Sequence, residues 1–156
     1  MARLEDIPEA TRIAAAELPC PSFDTTPFVA GPKLAKRRVA IISSAGLLRR
    51  GARPFVKPLH DGEGECRAVP STWNARDILL SHASVNFDRT GFQRDMNVVF
   101  PIDRLRDLAA AGEIGSVAET HFTFIPVADP TPAGIADEMA AALHSDRVDG
   151  VILVPI

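Results

Sequence analysis

Two nearly continuous apolar runs constrain the fold of this 156-residue chain more than any other feature. One extends from Arg38 to Ser43, and the other extends from Val151 to Ile156. Strands that are apolar on both faces are typical of a parallel sheet covered on both sides. Because helical patterns separate these strands, we predict an α/β fold: a Rossmann-like three-layer sandwich with a mainly parallel sheet.

The remaining segments are assigned from hydrophobic periodicity and from their proline and glycine residues. These signals predict helices over residues 7–18, 101–111 and 131–144 and strands over 77–82 and 116–124. They also predict a short helix at 47–50, loops at 53–70 and 86–97, and a proline-rich extended arm at 19–37. His121 is expected on the solvent side of its strand or at an interface. We therefore predict one domain over residues 1–156.

Composition excludes several classes of protein. Hydrophobic residues make up 46% of the chain and charged residues 24%, which are values typical of globular proteins and not of disordered ones. The chain has no apolar run of membrane-spanning length, and its first residues lack the pattern of a secretion signal. We therefore expect a cytoplasmic protein that does not bind membranes.

The net charge of −3 conceals a basic segment. Between Thr25 and His60 there are eight Lys or Arg residues and no Asp or Glu. Such a segment can attract an anionic substrate or an acidic partner, although its members can equally lie on different faces and pair with acidic residues. Aromatic residues are not interleaved with it, so we expect no binding to nucleic acid.

Cysteine and metal chemistry have little support in the sequence. Cys20 and Cys66 are far apart, and neither belongs to a Cys-x-x-Cys pair. His82, Asp88 and Asp95 match no established spacing of metal ligands, so no metal site is predicted.

The most specific pattern lies in residues 81–105, SHASVNFDRTGFQRDMNVVFPIDRL, and continues through 112–118, GEIGSVA, and 121–124, HFTF. It resembles the signature of the selenoprotein B subunits of glycine, sarcosine, betaine and D-proline reductases. Val151–Ile156 resembles the strand that, in this family, precedes the selenocysteine or the cysteine that replaces it. The resemblance is specific over residues 76–125 and at the last strand. It is weaker before residue 76, where only Val39–Gly46 matches.

This resemblance implies reductive cleavage of a C–N bond in an amino acid or amine, with a selenolate or thiolate as the nucleophile. We expect that the chain is the N-terminal part of a longer subunit, read as ending at an in-frame selenocysteine codon. The nucleophile would then follow Ile156, the sheet would be incomplete, and this chain alone would be inactive. No cofactor is expected within the chain, whereas selenocysteine is expected in the full protein and a pyruvoyl group on a partner subunit.

Candidate site residues lie where strands end, since ligands of open parallel sheets bind beyond the carboxyl ends of the strands. His82 and Asp88 are the catalytic candidates, with His82 as a proton donor to the leaving amine. The candidates for substrate binding are Ser43, Ser44, Gly46, Arg89, Asp95 and Asn97. The first three form a turn whose N–H groups can bind an anion, and Arg89 can bind a carboxylate. For each residue a purely structural role is the alternative.

The expected partners are a small amino acid or amine, other reductase subunits, a thioredoxin-like or selenoprotein A-type protein, and further copies of the chain. After Phe124, residues 125–130 replace the Met-Gly-type turn of the family, which leaves the substrate class open. The alternative function is a non-catalytic module that binds a small molecule or a partner. A stand-alone hydrolase or racemase that uses His82 is a third reading.

Overall fold

A computed structural model of the protein describes residues 7–17, 22–55, 65–82, 89–125 and 133–156. Within these ranges the strands are β1 (Arg38–Ser43), β2 (Leu47–Arg49), β3 (Cys66–Pro70), β4 (Ile78–Leu80), β5 (Ser116–Val117), β6 (Thr120–Phe124) and β7 (Gly150–Val154). The helices are α1 (Glu9–Ala16), α2 (Thr90–Arg94), α3 (Ile102–Ala110) and α4 (Ala133–Ser145). Single 3₁₀ turns occur at Leu34–Lys36, Ala75–Asp77 and Met96–Val98.

Strand β1 lies at the centre of the main sheet. It pairs in parallel with β7 along one edge and with both β5 and β6 along the other. Strand β3 runs antiparallel to β6, whereas β2 and β4 form a separate antiparallel ribbon. The prediction of an α/β fold with a mainly parallel sheet is therefore confirmed.

The alternating side chains of β1 enter two apolar clusters. Val39 and Ile41 belong to a cluster with Ile102 and Leu105 of α3. Ala40 and Ile42 belong to a second cluster with α4, through Leu143 and Met139. Each face of this strand thus packs with one of the two longer described helices, as expected for an apolar strand. The finer assignment, a Rossmann-like three-layer sandwich, stays a prediction.

Three local predictions were wrong. Residues 47–49 form strand β2 and not a helix, because Leu47 and Leu48 are buried opposite Leu80 and Leu79 of β4. Residues 66–70 form β3 within a predicted loop, since they pair along the whole of β6. The predicted loop at 86–97 contains the short helix α2.

Helix α3 begins and ends as predicted, with Pro101 before it and Gly112 in a left-handed conformation after it. In the predicted arm, residues 22–33 form neither helix nor strand, and Phe23, Phe28 and Val29 are exposed. Residues 18–21, which include Cys20, lie outside the described residues. In the part of the chain that the structure describes, no helix is long and apolar enough to cross a membrane.

The predicted strand at 116–124 is interrupted between β5 and β6. Val39 pairs with Val117 and Ile42 pairs with Phe122, so two extra residues are accommodated on the β5–β6 side. At this bulge the Nδ1 atom of His121 accepts a hydrogen bond from the backbone N–H of Ile41 (2.9 Å). The expectation of a solvent-facing or interfacial His121 was wrong, because this side chain is fully buried.

Candidate functional site

The carboxyl ends of β1 and β7 are joined through Ser44. The backbone N–H of Ser44 donates to the carbonyl of Val154 (3.1 Å), and the N–H of Ile156 donates to the Ser44 hydroxyl oxygen (2.8 Å). The Ser44 hydroxyl also donates a hydrogen bond to the carbonyl oxygen of Ile156 (3.4 Å). Ser44 therefore fixes the backbone of the last residue beside the turn that follows β1.

The neighbouring Ser43 is directed into the core. Its hydroxyl donates to the carbonyl of Val99 (2.7 Å) and accepts from the N–H of Ala45 (3.3 Å), and the residue is fully buried. These contacts connect the end of β1 to the segment that precedes α3. The substrate-binding role expected of Ser43 stays a prediction.

Gly46 connects three strand ends. Its φ of +66° is left-handed, and a Cβ atom there would lie 2.7 Å from Cγ1 of Ile125. Its N–H donates to Phe124 (3.1 Å) and its carbonyl accepts from Ser81 (2.8 Å). The backbone N–H groups of Ser44, Ala45 and Gly46 all donate to acceptors within the protein. To bind an anion, these groups would have to release those acceptors, and anion binding by this turn stays a prediction.

His82 follows β4 and is brought to the same place by the link between Gly46 and Ser81. It is buried and makes a hydrogen bond with the backbone of Ser44. Burial lowers the pKa of His82, and the charge of Arg89 lowers it further, while the hydrogen bond to Ser44 opposes both. The imidazole is therefore neutral at pH 7, and it must gain a proton before it can act as an acid.

Arg89 is adjacent to His82, since its guanidinium Nη2 donates to the His82 carbonyl (2.9 Å). The structure thus brings four predicted site residues, Ser44, Gly46, His82 and Arg89, to the end of β7. Asp88 lies outside the described residues, as do residues 126–130 of the turn that departs from the family pattern.

Asp95 and Asn97 are engaged with each other and not with these residues. Asp95 Oδ1 accepts from the backbone N–H (2.9 Å) and the side-chain Nδ2 (2.8 Å) of Asn97, and these bonds lower its pKa. Asn97 Oδ1 in turn accepts from the N–H of Asp103 (3.0 Å), at the start of α3. The contact of Asp95 and Asn97 with substrate stays a prediction. The hydrogen bonds that they make stabilise the turn before α3.

His121 is a buried polar residue whose position the sequence analysis missed. Burial lowers its pKa to about 4, with a smaller contribution from the charge of Arg106 and opposition from Asp146. Its ring contacts Phe100 edge-on, at 5.4 Å between centroids, and its Nε2 has no hydrogen-bond partner among the described residues. The sequence signal was the pair of polar residues at alternate positions, His121 and Thr123. Both side chains are buried and accept backbone N–H groups, and Thr123 accepts from Leu47 (3.0 Å).

No cluster of three or more metal-ligating side chains is found among the residues that the structure describes.

Comparison with known proteins gives a consistent set of relatives. The family model "Glycine/sarcosine/betaine reductase selenoprotein B" matches residues 10–155. "Glycine reductase complex component B subunit gamma" of Carboxydothermus hydrogenoformans is 27% identical, over 88% of this chain and 32% of that protein. "Betaine reductase complex component B subunit beta" of Peptoclostridium acidaminophilum is 26% identical, over 88% of this chain and 32% of that protein.

A third relative, "D-proline reductase subunit gamma" of Acetoanaerobium sticklandii, is 27% identical over 74% of this chain and 47% of its own length. The chain thus spans about a third of the first two relatives and about half of the third. No solved structure matches the chain significantly.

Proposed function

The chain belongs to the glycine/sarcosine/betaine reductase selenoprotein B family, and from this premise we propose that it forms the N-terminal part of a reductase subunit. The reaction proposed for the whole subunit is reductive cleavage of the C–N bond in a small amino acid or amine. The names of the relatives support a substrate of this class, since they are subunits of glycine, betaine and D-proline reductases.

In this proposal the nucleophile of the full subunit follows Ile156. A selenolate or thiolate there would attack the carbon that carries nitrogen, displace the amine and form a bond between that carbon and selenium or sulfur. A dithiol partner would then attack the selenium or sulfur, the carbon fragment would leave with a proton, and the dithiol would be oxidised to a disulfide as the nucleophile is regenerated. The observation that carries the proposal is the position of Ser44, which holds the backbone of Ile156 through its hydroxyl and contacts His82 through its backbone. A residue immediately after Ile156 would begin next to His82.

The described residues would prepare the substrate and the leaving group. His82 is neutral and buried, so it would first have to take up a proton, which it would donate to the departing nitrogen of glycine, sarcosine or D-proline; the quaternary nitrogen of betaine leaves as a neutral amine and needs no acid. The positive charge of Arg89 would lie beside His82 and attract the carboxylate of an amino acid substrate. Ser44 would act as a positioning residue that fixes the end of β7.

The proposed partners follow from the same family membership. They are other reductase subunits and a thioredoxin-like or selenoprotein A-type protein that releases the selenium nucleophile from the intermediate it forms. For a D-proline-type enzyme they also include a subunit that carries a pyruvoyl group. Val151, Ile152 and Leu153 of β7 are exposed apolar residues, and Leu153 is 70% exposed. We propose that this strand is covered in the assembled protein, by the rest of the subunit or by another copy.

The test is turnover by the full-length subunit with its partner subunits and a dithiol. We expect release of the amine from glycine, sarcosine or betaine, or ring opening of D-proline. The His82→Gln variant should lower the rate with glycine, sarcosine or D-proline by about 100-fold, a typical loss for a missing acid catalyst. His144→Gln is the matched control, since His144 is exposed at the end of α4, and its rate should equal the wild-type rate.

Absence of turnover with all four substrates would contradict the proposed activity and favour a non-catalytic binding module. Wild-type turnover of glycine, sarcosine or D-proline by the His82→Gln variant would remove the role assigned to His82.

A further inference from the structure

A cleft lies between helix α2 and the start of β4 with the 3₁₀ turn that precedes it. It has a volume of about 320 Å³, and none of its lining residues belongs to the cluster around Ser44 and His82. The polar lining consists of Arg76, Gln93 and Arg94, and the apolar lining includes Ile78, Phe92 and Met96. A few polar groups over an apolar surface in this range of volumes are typical of a site for a small molecule.

Among the described residues, the two arginines of this cleft form no ion pair with a carboxylate. Within the ranges that the structure describes, neither guanidinium has an ion-pair or hydrogen-bond partner, although the backbone N–H of Arg76 donates to the side chain of Asn74. Five other arginines of the described residues pair with carboxylates: Arg38 with Asp146, Arg53 and Arg67 with Glu65, Arg104 with Asp107, and Arg106 with Asp103.

Two carboxylates are adjacent to these arginines in sequence, and among the described residues neither forms an ion pair with them. Asp95 follows Arg94 directly, but its Oδ1 accepts from Asn97. Asp77 follows Arg76 and makes no ion pair with either arginine of the cleft among the described residues. With respect to the described residues, both guanidinium groups therefore keep their hydrogen-bond donors available to an external anion.

Part of the basic segment reaches the same region. Arg49 is the register partner of Ile78 in the β2–β4 ribbon, and the N–H of Arg50 donates to the carbonyl of Asp77 (2.6 Å). Both arginines are exposed. They add to the positive potential at the ribbon, which attracts anions before contact is made.

We propose that this cleft binds a small phosphate ester that carries a non-polar group. The phosphate accepts hydrogen bonds from Arg76 and Arg94, whose planar guanidinium groups suit the geometry of a phosphate. The non-polar group lies against Phe92, the partly exposed member of the apolar lining, while Ile78 and Met96 are buried behind it. This site is independent of the proposed reductase activity, because it shares no residue with the cluster at the end of β7.

Calorimetric titration of the full-length protein tests the site with two probes, phenyl phosphate and inorganic phosphate. We expect phenyl phosphate to bind more tightly, since only this probe covers the apolar lining. Arg76→Gln and Arg94→Gln should each raise its Kd by about tenfold or more, as expected when a hydrogen bond to a charged group is lost. Arg94→Lys should recover part of the affinity by restoring the charge without the planar fork.

Arg104→Gln is the matched control, because Arg104 is an exposed arginine of α3 that pairs with Asp107 (2.9 Å) outside the cleft. Its Kd should equal that of the wild type. Equal Kd values for phenyl phosphate in the wild type and in both cleft variants would overturn the site. Equal affinity for the two probes would overturn the apolar part of the proposal.

Discussion

The imidazole of His121 takes the place of a strand partner for Ile41, whose backbone N–H donates to Nδ1 at 2.9 Å. A side-chain acceptor is needed here because, at the bulge between β5 and β6, no backbone carbonyl of these strands pairs with the N–H of Ile41. An acceptor nitrogen must be unprotonated, so the central strand is completed only while His121 is neutral.

We expect His121 to make stability depend on pH. Burial lowers its pKa from 6.5 to about 4 in the folded state, so the unfolded chain binds the proton more tightly between these values. Stability is therefore retained above pH 6.5 and lost as the pH falls towards 4, by about 3 kcal/mol at most for this residue. Urea denaturation at pH 7 and pH 4 measures the difference.

The control for this prediction is His121→Gln, whose side chain offers an acceptor oxygen but does not titrate. This variant should lose about 3 kcal/mol less than the wild type between the two pH values. Equal losses in the two proteins would show that His121 is not the titrating group.

Gly46 should tolerate no side chain. Both Gly46 (φ +66°) and Gly51 (φ +85°) are left-handed, but only at Gly46 would a Cβ atom collide, 2.7 Å from Ile125. Gly51→Ala should cost about 1 kcal/mol from backbone strain, and Gly46→Ala about 1–3 kcal/mol more because of the overlap. Thermal or urea unfolding of the pair checks this, and equal losses would contradict the close approach.

Asp146 should stabilise the junction of α4, β1 and the bulge. Its carboxylate accepts from Arg38 Nε (3.0 Å) and from the N–H of Glu119 (2.8 Å). Burial raises its pKa, but these hydrogen bonds outweigh burial and leave the pKa lowered. Asp146→Asn should cost about 1–3 kcal/mol at pH 7, the range for hydrogen bonds to a charged group.

This stabilisation should be present above the unfolded pKa of about 3.9 and disappear as the pH falls through the lower pKa of the folded state. Asp107→Asn is the control, because Asp107 forms an exposed ion pair with Arg104 and should change stability by less than about 0.5 kcal/mol. If both variants unfold alike at pH 7, the junction does not depend on Asp146.

Sequence patterns identified β1, β7 and α3 because each is specified locally, by a continuous apolar run or by a helical repeat between Pro101 and Gly112. They failed for β2, since Leu47–Arg49 contains good helix formers and becomes a strand only through pairing with Ile78–Leu80, about thirty residues away. His121 was placed on the wrong side because alternation assigns polar residues to solvent. The bulge instead required a polar acceptor inside the sheet.

The candidate site shows the same division. The turn at Ser44 and Gly46 follows β1 as the sequence predicts, since its position depends only on β1, and its role in a site stays a prediction. The sequence did not reveal how His82 arrives there, because β4 belongs to the separate ribbon and its end is held by the bond from Ser81 to Gly46. Asp95 and Asn97 were grouped with His82 by proximity in sequence, whereas their side chains bond to each other and to Asp103.

The central claim, a nucleophile that follows Ile156 beside His82, is tested most directly by alkylating the reduced full-length subunit with iodoacetamide at neutral pH. Cys66 is an internal reference, since burial and the charge of Glu138 raise its pKa and slow its reaction. We expect rapid labelling of a selenocysteine or cysteine directly after Ile156, with loss of turnover in proportion to labelling, while Cys66 remains unmodified. Another residue type at that position, or unchanged turnover after complete labelling, would contradict the claim.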